Sequence, residues 1–168
     1  MVPSTRETRP HVPVMPRVKL QPVFQPGASP AGLTNRFLVY NDVGIVKSYE
    51  GDAERSLDIE FHDIAVHHAL HLANNDGYSI AALSSSVLAL AAKSSADGPA
   101  KVSVNYFSSS DLNKEWSVSM PEEEDITGVA AGDTWVAVTT SCQHLRLLDT
   151  VLCIFSGKFV PAIIGHGD

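Results

Sequence analysis

Short apolar runs of about five to seven residues, broken by turn residues, fill the chain from Arg36 onward. The runs are Arg36–Tyr40, Gly44–Tyr49, Leu57–Phe61, Tyr78–Leu83, Val87–Ala92, Lys101–Phe107, Glu115–Met120, Ile126–Ala131, Trp135–Thr140, His144–Leu148, Val151–Phe155 and Phe159–Ile164. Between them stand Asn41-Asp42, Asn74-Asn75-Asp76-Gly77, Asp97-Gly98-Pro99, Ser108–Asp111, Gly132-Asp133 and Gly157. Gly and Asn accept positive φ, and Asp bonds its own backbone, so these residues turn a chain. Val102, Val104 and Tyr106 alternate with polar neighbours, as do Trp116, Val118 and Met120. A period of two is the signature of strands. The Ala- and Leu-rich stretch Tyr78–Lys93 could form a helix on propensity alone. Ser84-Ser85-Ser86 at its centre instead predicts a turn between two strands. Leu57–Phe61 and Leu70–Leu72 read as short strand pieces.

The runs group in fours. Ala82-Leu83, Val87–Leu90, Lys101–Phe107 and Glu115–Met120 make one unit. Ile126–Ala131, Trp135–Thr140, His144–Leu148 and Val151–Phe155 make a second, with Val87 and Trp135 lying 48 residues apart. Four strands every 40–50 residues are the blades of a β-propeller, whose ring needs about four or more. The expected fold is all-β: a partial β-propeller of about two to three blades, cut short at its C-terminus. Residues 1–30 hold seven of the ten prolines. Proline fixes φ and removes a donor, so this segment predicts an extended Pro-rich linker before a propeller unit at 31–168.

The 168 residues are 44% hydrophobic and 18% charged, a globular composition. The net charge is -7. Arg6, Arg9, Arg17 and Lys19 against Glu7 leave residues 1–30 at +3 and the remainder at -10. A general nucleic-acid binder needs cations to displace phosphate counterions, so this balance points to protein partners. A DNA-binding reading would have to rest on the basic arm at 1–19. Cys142 and Cys153 lie in apolar surroundings and read as buried free thiols, which suits a reducing compartment. No run approaches the roughly 18 apolar residues of a membrane span, and no signal-peptide stretch opens the chain.

Candidate chemistry is sparse. His62, Asp63, His67, His68 and His71 cluster, with His67 and His71 at i, i+4 spacing. Imidazoles bind zinc, but the His-Glu-x-x-His order of a metalloprotease is missing. A strand-end cluster bonded to backbone competes with a small metal-binding or hydrolytic site on these histidines. No Gly-x-Ser-x-Gly elbow occurs, and Ser84–Ser86 and Ser108–Ser110 read as turn serines. Cys142 and His144 share one face of a strand and read as a structural pair. Gly165-His166-Gly167 is too short to cradle a phosphate. Glu122–Asp125 reads as a solvated loop or a contact for a basic partner. Trp116 and Trp135 read as core anchors.

Phe24–Pro30 and Leu33–Asn41 resemble the entry into the middle domain of the eukaryotic replisome adaptors called WD-repeat and HMG-box DNA-binding proteins, whose fungal relatives are the chromosome transmission fidelity and minichromosome loss proteins. The resemblance continues in order through Gly44–Val46, Asp58–Asp63, His67–Leu72, Phe107–Ser109, Lys114–Trp116, Glu124–Ile126, Leu145–Leu147 and Gly165–Asp168. It implies the second propeller of a non-catalytic nuclear scaffold without a cofactor. That scaffold would form a homotrimer and link DNA polymerase alpha–primase to the replicative helicase through GINS during DNA replication. Contact with chromatin or DNA would pass through other parts of the family's longer proteins. Their partner peptides dock on a helical appendage, so no catalytic, cofactor, metal or partner-binding residue carries over. Between Leu148 and Val151 this chain is shorter than the family's connection.

Overall fold

A computed structural model describes residues 29–30, 32–51, 54–107, 114–149 and the backbone of 155–159. Among the described residues twelve strands form three antiparallel sheets of four, each a meander in chain order. The first sheet holds β1 (Asn35–Tyr40), β2 (Gly44–Glu50), β3 (Arg55–Phe61) and β4 (Leu70–Ala73). The second holds β5 (Ile80–Leu83), β6 (Val87–Ala92), β7 (Lys101–Tyr106) and β8 (Lys114–Ser119). The third holds β9 (Ile126–Ala131), β10 (Trp135–Thr140), β11 (Leu145–Asp149) and β12 (Phe155–Phe159). β5 lies against both β1 and β9, so the first strands of the sheets stand side by side as the inner strands of blades. The described residues form a partial β-propeller with three blades. Among the described residues no helix is long and apolar enough to cross a membrane.

The blades are held by two apolar seams. Leu38, Val46, Leu57 and Ile59 of the first blade meet Leu83, Leu88 and Leu90 of the second. Val87, Ala89, Ala91, Val102 and Val104 of the second meet Ile126, Val129, Val136, Val138 and Leu148 of the third. β6 serves both seams, with alternate residues facing opposite neighbours. All six of its residues are buried. This explains its unbroken apolar sequence, which a one-sided strand would not have. Each fully buried Val or Leu stabilises the fold by roughly 1.5–3 kcal/mol. The alanines keep the facing sheets close.

The first turn of each blade repeats. Asn41 N donates to Gly44 O (3.1 Å), Ser84 N to Val87 O (2.8 Å) and Gly132 N to Trp135 O (2.9 Å). Asn41 Oδ1 accepts from Val43 N and Gly44 N, while Ser84 Oγ accepts from Ser86 N and Val87 N. Short polar side chains close such turns on their own backbone. The same side chains latch blade to blade: Asn41 Nδ2 donates to Leu83 O (2.8 Å), and Ser84 Oγ to Gly132 O (3.2 Å). Gly132 has no side chain to extend the series. A Cβ there would meet the Trp135 indole at 2.5 Å.

Most strand expectations hold, with two adjustments. The fourth strand of the last blade is Phe155–Phe159, set by its pairing of Phe159 with Leu145, and of the expected run Val151–Phe155 only Phe155 lies among the described residues. The first blade is complete, because Leu70–Ala73 pairs with Arg55–Phe61. Tyr78–Lys93 holds two strands joined at Ser84–Ser86, as expected. The linker expected at 1–30 falls outside the described residues except for Ser29 and Pro30, and the run at Phe159–Ile164 does so beyond Phe159.

Candidate interaction surface

The histidines stand where the first two blades meet. After β3, Asp63 closes a turn: its Oδ1 accepts from Ala65 N (2.9 Å), and its carbonyl accepts from Val66 N and His67 N. The turn lifts Ile64 (75% exposed) and Val66 (65% exposed) into solvent. His62 Nε2 donates to Asn41 O at 3.0 Å. His67 Nε2 donates to Ser85 O at 2.7 Å. The His67 ring lies 4.8 Å from that of Phe61 and 5.2 Å from that of Phe107, which meet each other edge to face. Two imidazoles thus tie one loop to the corners of two blades.

His68 is exposed. His71, on β4, pairs with Asp58 across the sheet at 2.6 Å. The four histidines therefore serve separate places, and the described residues contain no group of three or more side chains able to hold a metal. The hydrolytic alternative fares no better. Ser85 Oγ donates to Asp133, and His144 Nδ1 faces Glu124 at 3.2 Å rather than Cys142.

Between the tied loop and the blade corners opens a cleft of about 350 Å³. Val43, Phe61 and Val66 give it apolar walls, His62, His67 and Ser85 a polar side, and Asp42 and Asp63 an acidic rim. Among the described residues no Lys or Arg lines it. The sequence marked the histidines but not Ile64, Val66 or Asp42. The available signal was a capping Asp followed by aliphatic residues where no strand could run.

Three expectations are corrected. Glu124 does not belong to a solvated acidic run; it is 5% exposed. A turn with Glu123 at positive φ directs it inward. Arg146 Nε donates to its Oε1 at 2.9 Å and Arg146 Nη2 to its Oε2. The guanidinium holds the carboxyl at about pH 2, against the opposing effect of burial, with smaller help from Thr140 and His144. Cys142 is exposed, in a turn, with its sulfur 4.0 Å from Glu123 O; Cys153 lies outside the described residues. Trp116 packs on the core, but Trp135 is 46% exposed.

Trp135 is exposed for a geometric reason. Gly44 and Val46 on β2, and Val87 and Ala89 on β6, occupy the face that the following blade covers, and all are buried. Turn equivalence places Trp135 and Ala137 at the same positions on β10. Here they line an open groove of about 470 Å³ with Leu147, Leu148 and Asp149. The opposite outer face, on the first blade, is polar. It carries the pairs Lys47–Glu60 and Asp58–His71.

Comparison with known proteins places this arrangement. Residues 22–152 match the family model described as minichromosome loss protein, Mcl1, middle region. The chain is 41% identical over 159 residues to human WD repeat and HMG-box DNA-binding protein 1, covering 92% of this chain and 14% of that protein. Its Xenopus laevis counterpart is 38% identical over 133 residues, 79% of this chain and 12% of that one. A Saccharomyces cerevisiae protein named DNA polymerase alpha-binding protein is 28% identical over 127 residues, 73% and 13%. The chain spans about a seventh of the human relative's length. With the match covering residues 22–152, well over half of its length, the chain belongs to the family of the minichromosome loss protein Mcl1 middle region.

Proposed function

We propose that this chain is a non-catalytic scaffold segment of a nuclear DNA-replication adaptor. Residues 31–168 belong to that adaptor's second propeller and residues 1–30 to the linker before it. In the assembled protein the segment takes part in a homotrimer that connects the replicative helicase, through GINS, to DNA polymerase alpha–primase. Contact with chromatin or DNA passes through other parts of the longer protein. One observation carries this reading: a similarity that spans all three blades and runs to proteins named for binding DNA and DNA polymerase alpha. The blade architecture supports it, because stacked sheets offer broad, rigid faces to partners.

The test is sedimentation velocity of the purified 168-residue chain, alone and with purified DNA polymerase alpha–primase or GINS. A discrete trimer that co-sediments with either partner supports the proposal. A monomer that binds neither overturns it for this segment.

A further inference from the structure

We infer that the cleft between the first two blades is a docking site for a linear segment of a partner protein, one that presents an aliphatic side chain next to lysine or arginine. The proposal rests on the scaffold reading only in assigning the segment to a protein partner; the cleft's chemistry stands by itself.

Three observations fix that chemistry. First, the walls formed by Val43, Phe61 and Val66 are apolar, and at about 350 Å³ the space suits one or two side chains. Ile64 and Val66 extend the apolar surface outward at 75% and 65% exposure, the two highest values among the large exposed hydrophobic residues. Aliphatic side chains held this far into water by a capped turn gain from any contact that covers them. Secondly, the rim is anionic. Asp42 and Asp63 line it, and Asp133 stands just beyond, bonded to Ser85. With no cation among the described lining residues, an incoming Lys or Arg meets the carboxylates without first displacing a resident cation. Thirdly, the site is preorganised. The loop is fixed by the Asp63 turn, by His62 on Asn41 and by His67 on Ser85. Little ordering cost remains for binding to meet.

The experiment is fluorescence anisotropy with the full chain and a labelled nine-residue peptide that alternates leucine and lysine between Gly-Ser ends. Two control peptides replace lysine by glutamate or leucine by alanine. The expected result is binding that weakens about tenfold or more with either control peptide. It should also weaken about tenfold in V66D, which alters only a solvent-facing side chain. D42K should lose the lysine peptide and gain the glutamate peptide. E50K, a charge reversal on β2 outside the cleft, should change affinity less than twofold. Circular dichroism of each variant confirms that the fold is kept. Equal weakening by E50K and D42K would reduce the attraction to the net charge of -7 and overturn the proposal. So would indifference to V66D, or preference for the glutamate peptide by the unaltered chain. None of these outcomes depends on polymerase or helicase binding, so the proposal can fail while the scaffold reading stands.

Discussion

The Ser85 hydroxyl donates to the Asp133 carboxylate at 2.9 Å, joining two turns that lie 48 residues apart. Beside it, the buried Ser84 closes its own turn and reaches the Gly132 carbonyl. The two neighbouring serines thus do unequal work: one hydrogen bond is exposed, and the other belongs to a buried group with several partners.

S84A should therefore cost about 1–3 kcal/mol, since buried donors lose their partner. S85A should cost less than about 0.5 kcal/mol. Urea unfolding of the two variants side by side measures both. Equal midpoints would show that the corner latch contributes nothing.

β6 is buried on both faces, so its substitutions should fail in opposite ways. L88A opens a cavity toward the first blade and should cost about 2–5 kcal/mol. A89L crowds the seam with the third blade and should cost about 1–3 kcal/mol. A thermal melt in which A89L is neutral would mean that this seam is loosely packed.

Glu124 ties stability to acid. Its folded carboxyl is held at about pH 2 against an ordinary 4.5. The stabilisation is complete above the ordinary value and is lost as pH falls from there through 2. E124Q should flatten this acid limb in a pH series of melting temperatures. R146M, which leaves the carboxylate buried without its main partner, should destabilise the chain by about 3 kcal/mol near neutral pH. An acid limb unchanged in E124Q would place the titration elsewhere.

His67 packs between two phenylalanine rings and bonds a carbonyl, whereas His68 is exposed. H67A should lower stability by about 1–3 kcal/mol and H68A by less than about 0.5 kcal/mol. Neither difference should respond to zinc or EDTA. A zinc-dependent rise in melting temperature that both substitutions remove would revive a shared metal site.

Much of the fold was legible because strand pairing follows local chemistry. Alternation in Val102–Tyr106 and the serine turn at Ser84–Ser86 reflect interactions within one blade, and the spacing of Val87 from Trp135 is the length of one blade. What escaped depends on neighbours. Trp135 looks like an anchor by residue type, yet its burial is decided by what lies on the outer face of β10. Four consecutive acids look alike, and only Arg146, on a strand formed later, selects Glu124. Cys142 follows apolar residues but occupies the turn after them. The histidine cluster was visible as composition, while its division between two blade corners and a cross-strand pair required the register of β3 with β4.

The corner latches also have a direction in time. Asn41 and Ser84 carry the side-chain donors, and the carbonyls they reach lie 42 and 48 residues nearer the C-terminus. A ribosome adding about 5–20 residues per second completes each donor turn roughly 2–10 s before its acceptor is synthesised. Until then the corner hydroxyl or amide has no such acceptor in the chain. The blades are therefore joined like a row of clasps fastened from the N-terminal end, each catch waiting for an eye that arrives one blade later.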